Sequence, residues 1–141
     1  MFERCLYFNV NSLARTLNRQ WDQAYAQLGL TSQQAYVLRA VLTHFGLNHQ
    51  VLARELNLEK STVSRIVDQL ELKGFVTRKH DDAHDARLVK VAPTPKAFAL
   101  HADIENIETV LYHQLSSSIG SEALKNIVTE LRQFQLSLHS E

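Results

Sequence analysis

The chain has 141 residues, 45% of them hydrophobic and 21% charged, which is the composition of one globular domain. Fifteen Lys and Arg balance fifteen Asp and Glu, so any contact with a polyanion must come from a local patch and not from bulk charge. No run reaches the roughly 20 apolar residues of a membrane helix, the start Met1-Phe2-Glu3-Arg4-Cys5 has no signal-peptide pattern, and the single cysteine excludes a disulfide framework; the expected location is the cytoplasm, with stability resting on packing.

The first segment carries Leu6, Val10, Leu13, Leu17, Trp21 and Leu28 at steps of three, four and seven, which is one face of a long helix ended by Gly29. Thr31 and Gln34 have the form of a capping box ahead of Val37, Leu38, Val41 and Leu42, and predict a second helix stopped near Gly46. Asn48 is a good N-cap for a third helix with Val51, Leu52 and Leu56. The Asn57-Leu58 turn then leads into a fourth with Val63, Ile66, Val67 and Leu70 facing inward, closed by Gly74.

Beyond Gly74, the β-prone runs Phe75-Val76-Thr77 and Leu88-Val89-Lys90-Val91 enclose the polar stretch His80 to Arg87, which reads as a hairpin with a long charged tip. Thr94 caps and Pro95 opens a fifth helix carrying Phe98, Ile104, Ile107, Leu111 and Leu115. Gly120 breaks it, and Ser121 starts a last helix with Leu124, Ile127, Leu131, Phe134 and Leu138 at alternating steps of three and four. The expected fold is mainly α with a small β-hairpin wing: a winged helix-turn-helix DNA-binding lobe plus a helical dimerisation lobe. The terminal helices expose apolar stripes that a small domain cannot bury alone, and this predicts a homodimer through the N- and C-terminal helices. Charge follows the same division. Residues 50–96 hold nine basic against seven acidic residues, whereas residues 97–141 hold two against six, so the middle of the chain is the anion-facing part.

The segments Leu30-Thr31-Ser32-Gln33-Gln34, Leu52-Ala53-Arg54-Glu55-Leu56 and Lys60-Ser61-Thr62-Val63-Ser64-Arg65-Ile66-Val67-Asp68-Gln69-Leu70-Glu71-Leu72-Lys73-Gly74-Phe75-Val76 resemble the MarR family of multiple-antibiotic-resistance-type regulators. The resemblance implies a single MarR-like domain over residues 1–141, with residues 30–94 as the DNA-binding lobe and residues 1–29 and 95–141 as the dimerisation lobe. It further implies a homodimeric repressor of a pseudo-palindromic operator, released in many members by a small aromatic ligand or by oxidation. Two departures stand out. The family's Asp-Arg-Arg wing motif is Asp85-Ala86-Arg87 here, and its Thr-x-x-Gly is Thr94-Pro95-Lys96-Ala97.

A recognition helix in the major groove reads base edges with its N-terminal residues. Ser61, Thr62, Ser64 and Arg65 are therefore the candidate readers, with Arg65 suited to a bidentate guanine contact and Lys60 to a phosphate. In the wing, Arg87 is placed to enter the minor groove and Asp85 to hold its guanidinium. Arg78, Lys79 and Lys90 are candidate backbone contacts. For each of these residues the competing reading is a solvated charge.

Cys5 raises a redox-sensor alternative. Aligned on the Leu-Thr-x-x-Gln start and on Arg15, however, the family's sensing position falls on Tyr7, and a reactive thiol needs neighbours that stabilise its thiolate. The cluster His80-Asp81-Asp82-Ala83-His84-Asp85 lacks the spacing of a metal motif, and the remaining histidines read as surface or satisfied residues, so neither metal nor cofactor is expected. Trp21, Tyr25 and Tyr36 could border a pocket for a small-molecule effector or could be core. No nucleophile–base pair or glycine-rich phosphate loop points to an enzyme. The alternative outside DNA binding is a winged-helix interaction module acting as an antirepressor or adaptor.

Overall fold

The computed structural model describes residues 1–81 and 85–139, with only the backbone described for Asp81 and residues 85–88. The element order is α1 (Leu6–Ala26), α2 (Ser32–Thr43), β1 (Leu47–Asn48), α3 (His49–Leu56), α4 (Lys60–Leu72), β2 (Val76–Asp81), β3 (Asp85–Pro93), α5 (Pro95–Ile119) and α6 (Ser121–His139). Two compact units are present, residues 1–104 and residues 105–141.

The helix boundaries follow from local chemistry. The Thr31 hydroxyl accepts from the Gln34 amide at 3.2 Å while Gln34 Oε1 accepts from the Thr31 amide at 3.1 Å, completing the expected capping box. Asn48 Oδ1 accepts from the Val51 amide at 2.9 Å and starts α3. Asn57 stops it in the left-handed region at φ 53°, where an Asn is tolerated because its short polar side chain bonds locally. The tight α3–α4 connection that follows makes a helix-turn-helix. Gly74, at φ 79°, ends α4 as a glycine at C′ does.

In the first unit, Val37, Leu38 and Val41 of α2, Leu52 of α3, Val63, Val67 and Leu70 of α4, and Val91 of β3 are all fully buried. One core therefore joins three helices and the sheet. In the second unit the buried residues are Ile107, Leu111 and Leu124.

The sheet departs from the expected hairpin in two ways. It has three antiparallel strands in the order β1-β3-β2, because Leu47 and Asn48 pair with Val91 and Lys90. Strands β2 and β3 also reach Asp81 and Asp85, with a register irregularity at His80/Asp81, so the paired ribbon takes in part of the charged stretch expected as tip. Ladder hydrogen bonds use main-chain groups and propagate along an exposed ribbon whatever its side-chain polarity. A third difference lies in α5. Phe98 is 47% exposed, with its ring 6.0 Å from that of Phe45, and Ala97 takes the buried position beside it.

Leu70→Ala is expected to cost about 3 kcal/mol through lost transfer energy and a residual cavity, and Thr31→Ala about 1 kcal/mol through the lost cap. Urea unfolding checks both, as a lower midpoint at unchanged slope.

Candidate nucleic-acid interface

Burial of Val63, Ile66, Val67 and Leu70 sets the rotation of α4 about its axis, since these positions recur on one side of a 3.6-residue period. That rotation leaves Lys60, Ser61 and Arg65 exposed and Thr62 and Ser64 half-buried along the N-terminal half of the helix. The sequence-predicted readers thus share one outward stretch of α4.

Two groups of polar contacts hold α4. At its C-terminal end, Lys73 Nζ donates to the Gly29 carbonyl and to Gln34 Oε1, both at 2.7 Å, and Gln34 Nε2 donates to Gln69 Oε1 at 2.9 Å. Gln34, a capping-box residue, is also the buried polar side chain that bridges the start of α2 to α4. A buried amide costs free energy unless bonded, so satisfying it here favours one placement of α4. Lys96 Nζ donates to the Lys73 carbonyl at 2.7 Å and lies 4.6 Å from the Phe75 ring centroid. The Thr94 hydroxyl donates to the Gly74 carbonyl at 2.6 Å. This ties down the C-terminal end of α4.

The second group belongs to the wing strand. Arg78 donates from Nη2 to Asp68 Oδ1 at 2.5 Å and to the Ser64 carbonyl at 3.4 Å, and from Nη1 to Glu71 Oε1 at 3.2 Å. Its side chain is only 22% exposed. Arg78, which the sequence offers as a backbone contact to DNA, has its guanidinium engaged by α4 and joins β2 to that helix. Lys79 is exposed and lies across the ladder from Lys90. The side chains of Asp85 and Arg87 lie outside the described residues, as does most of the His80–Asp85 cluster.

His49, grouped in the sequence with the surface or satisfied histidines, is half-buried, and its Nε2 has no hydrogen-bond partner among the described residues. Burial pushes its pKa below the ordinary 6.5, the charges of Arg78 and Lys60 push the same way, and Asp68 opposes them. No spacing signal marks this residue, because its neighbours come from α4 and β2.

Beside the recognition helix lie two recesses within the first unit. One, of about 390 Å³, is lined by Leu17, Asn18 and Trp21 of α1, Ser32, Gln33 and Tyr36 of α2, and Leu56 and Leu58 at the helix-turn-helix turn. Trp21 and Tyr36 therefore border a pocket, whereas Tyr25 is fully buried in the core. The other, of about 330 Å³, is polar and includes Asp22, Arg65 and Gln69. Elsewhere, α1 exposes Leu6, Tyr7, Phe8, Val10 and Leu13, and α6 exposes Ile127, Leu131, Phe134 and Leu138. Cys5 is a free, exposed thiol. Among the described residues no helix is long and apolar enough to cross a membrane.

Because the folded state disfavours the charged imidazole, the unfolded chain binds more protons just below the ordinary histidine pKa. The contribution of His49 to stability is therefore present above about pH 6.5 and lost as pH falls towards the depressed folded value. Urea midpoints followed on acidification should fall less steeply in His49→Gln than in wild type. Arg78→Met should cost about 1 kcal/mol by leaving Asp68 and Glu71 without their partner, read in the same denaturation series.

The MarR family model matches residues 28–88, which cover the helix-turn-helix and the start of the wing. The HTH-type transcriptional regulator SarZ of Staphylococcus saprophyticus is 24% identical over 131 residues, covering 89% of this chain and 88% of that protein. The crystal structure of the S. aureus MepR–DNA complex matches with a TM-score of 0.86 and 23% identity, over 96% of this chain and 99% of that one. The organohalide-sensing regulator RdhR-CbdbA1625, in its 2,4-dichlorophenol-bound form, matches with a TM-score of 0.83 and 25% identity, over 98% of this chain and 83% of that one. These relatives are regulators and not enzymes. Residues 28–88 thus match the MarR family model, and nearly the whole chain is similar in sequence to a transcriptional regulator and shares the fold of solved winged-helix regulators.

Proposed function

We propose that the protein acts in the cytoplasm as a homodimeric repressor that binds a pseudo-palindromic double-stranded operator and is released by a small aromatic ligand. The observation that carries this reading is α4: its apolar side is buried, its middle and C-terminal end are tied to neighbouring elements, and its outward N-terminal half presents Lys60, Ser61 and Arg65. Rigid presentation of a short polar helix face is what major-groove reading requires. The fold shared with MepR, solved as a DNA complex, supports the same use.

Arg65 takes a guanine edge, while Ser61, Thr62 and Ser64 reach bases or phosphates, and Lys60 and Lys79 contact the backbone. Arg87 enters the minor groove, oriented by Asp85, and Arg78 supports both elements from behind through Asp68 and Glu71. The whole chain works as one module, with residues 30–94 as the DNA-binding lobe and residues 1–29 and 95–141 as the dimerisation lobe. A second copy covers the apolar side chains that α1 and α6 leave exposed, because patches of this kind mark association surfaces. The pocket bordered by Trp21 and Tyr36 is the effector site, a reading supported by the likeness to a regulator solved with 2,4-dichlorophenol.

Fluorescence anisotropy with DNA from upstream of the protein's own gene, across a salt series and against competitor DNA, tests the reading. Wild type should bind specifically and weaken with salt, and Arg87→Ala should weaken further with the log–log salt slope reduced by roughly one. Absence of binding on that DNA and on a randomised pool at low salt would refute it in favour of the adaptor module. Phe134→Glu should turn the dimer into monomers in sedimentation velocity, since a carboxylate cannot be buried unpaired in an apolar interface.

A further inference from the structure

His49 is the first residue of α3, following the cap Asn48, where the helix amides present the positive end of their dipole. Its ring is half-buried, and the buried Nε2 has no hydrogen-bond partner among the described residues. A histidine nitrogen bonded to a carboxylate or a carbonyl has its protonation state held by that partner; no described residue does so at Nε2. What keeps a proton off the ring is burial and, after it, the surrounding charge. The charged groups that face the ring are Arg78 from β2 and Lys60 and Asp68 from α4, and β3 brings Lys90 opposite the neighbouring Asn48.

Arg78 is already matched by its ion pairs to Asp68 and Glu71. Lys60 is exposed at the start of α4 and is the cation that a phosphate neutralises in the DNA-binding reading above. A phosphate on Lys60 cancels that lysine's repulsion of an imidazolium and adds negative charge beside a partly desolvated ring, where water screens weakly. Resting on that reading, we infer that operator binding takes up a proton at His49, so that the protein holds DNA more tightly as the medium acidifies. Linkage makes the two effects one: the factor by which DNA raises the proton affinity of His49 is the factor by which the proton raises the affinity for DNA. In the free protein the same protonation costs stability, because burial and the two cations outweigh Asp68. A charged His49 also repels Arg78, but that guanidinium has three acceptors on α4 and keeps its place.

The test measures anisotropy of the upstream DNA fragment with wild type and His49→Gln at about pH 7.5 and about pH 5.5, on either side of the histidine range, at constant ionic strength. Calorimetric titration in two buffers of different ionisation heat counts the protons taken up on binding. The chain has seven histidines, so the difference between wild type and variant isolates this one. Wild type should bind roughly fivefold more tightly at the lower pH, with a salt slope steepened by the added cation. It should also take up more protons than His49→Gln, whose affinity should change by less than about twofold. His49→Asn replaces His49→Gln if that variant does not fold. Equal pH dependence and equal proton uptake in wild type and variant overturn the inference and leave the DNA-binding reading standing. Acid weakening of wild type that the variant lacks overturns it as well, because His49 then acts by loosening the hold of Arg78 on α4. If the fragment and a randomised pool stay unbound at both pH values and low salt, the DNA-binding reading fails and the inference falls with it.

Discussion

Burial of Val63, Ile66, Val67 and Leu70 against α2, α3 and the sheet is the constraint on which the other features of the first unit depend. These residues fix which side of α4 is hidden and hence which side chains remain outside. Apolar burial has no directional preference of its own, so it sets the rotation of the helix but not its tilt or its slide along the axis. Those are set by directional bonds: Lys73 and Gln69 to the start of α2, and Arg78 to the middle of α4. The division of labour explains why so many polar side chains sit around one thirteen-residue helix.

Arg78 illustrates how a charged residue on a candidate DNA-binding element can act within the protein. Three acceptors on α4 surround its guanidinium, and β2 is thereby joined to that helix. His49 sits in the same junction, where burial, and then the charges of Arg78 and Lys60, push its pKa below the ordinary value. A second positive charge there would face Arg78 across a partly desolvated space, where screening by water is weak.

The recess beside α4 is bounded by the elements that the same constraint holds together. Its walls come from α1, α2 and the helix-turn-helix turn, elements already bound to α4 by the core and by the Gln34 network. A group placed there bears on the helix without any long path through the protein.

The sequence by itself determined the local features. Thr31 with Gln34, Asn48, Asn57 and Gly74 act within a few residues of themselves, so the ends of α2, α3 and α4 were legible from spacing and capping chemistry. The inward face of α4 was equally legible, because a 3.6-residue period is a local property. The family motifs carried the winged helix-turn-helix and, with it, the candidate readers Lys60, Ser61 and Arg65. What the tertiary structure alone decided depends on residues far apart in the chain. The pairing of β1 with β3, the use of Arg78 as a clamp on α4, the burial of His49 and the meeting of Trp21 with Tyr36 and Leu58 each bring together segments with no shared local pattern. Such contacts come from the packing of whole elements against one core, and no period or cap in the chain encodes which side chains will meet there.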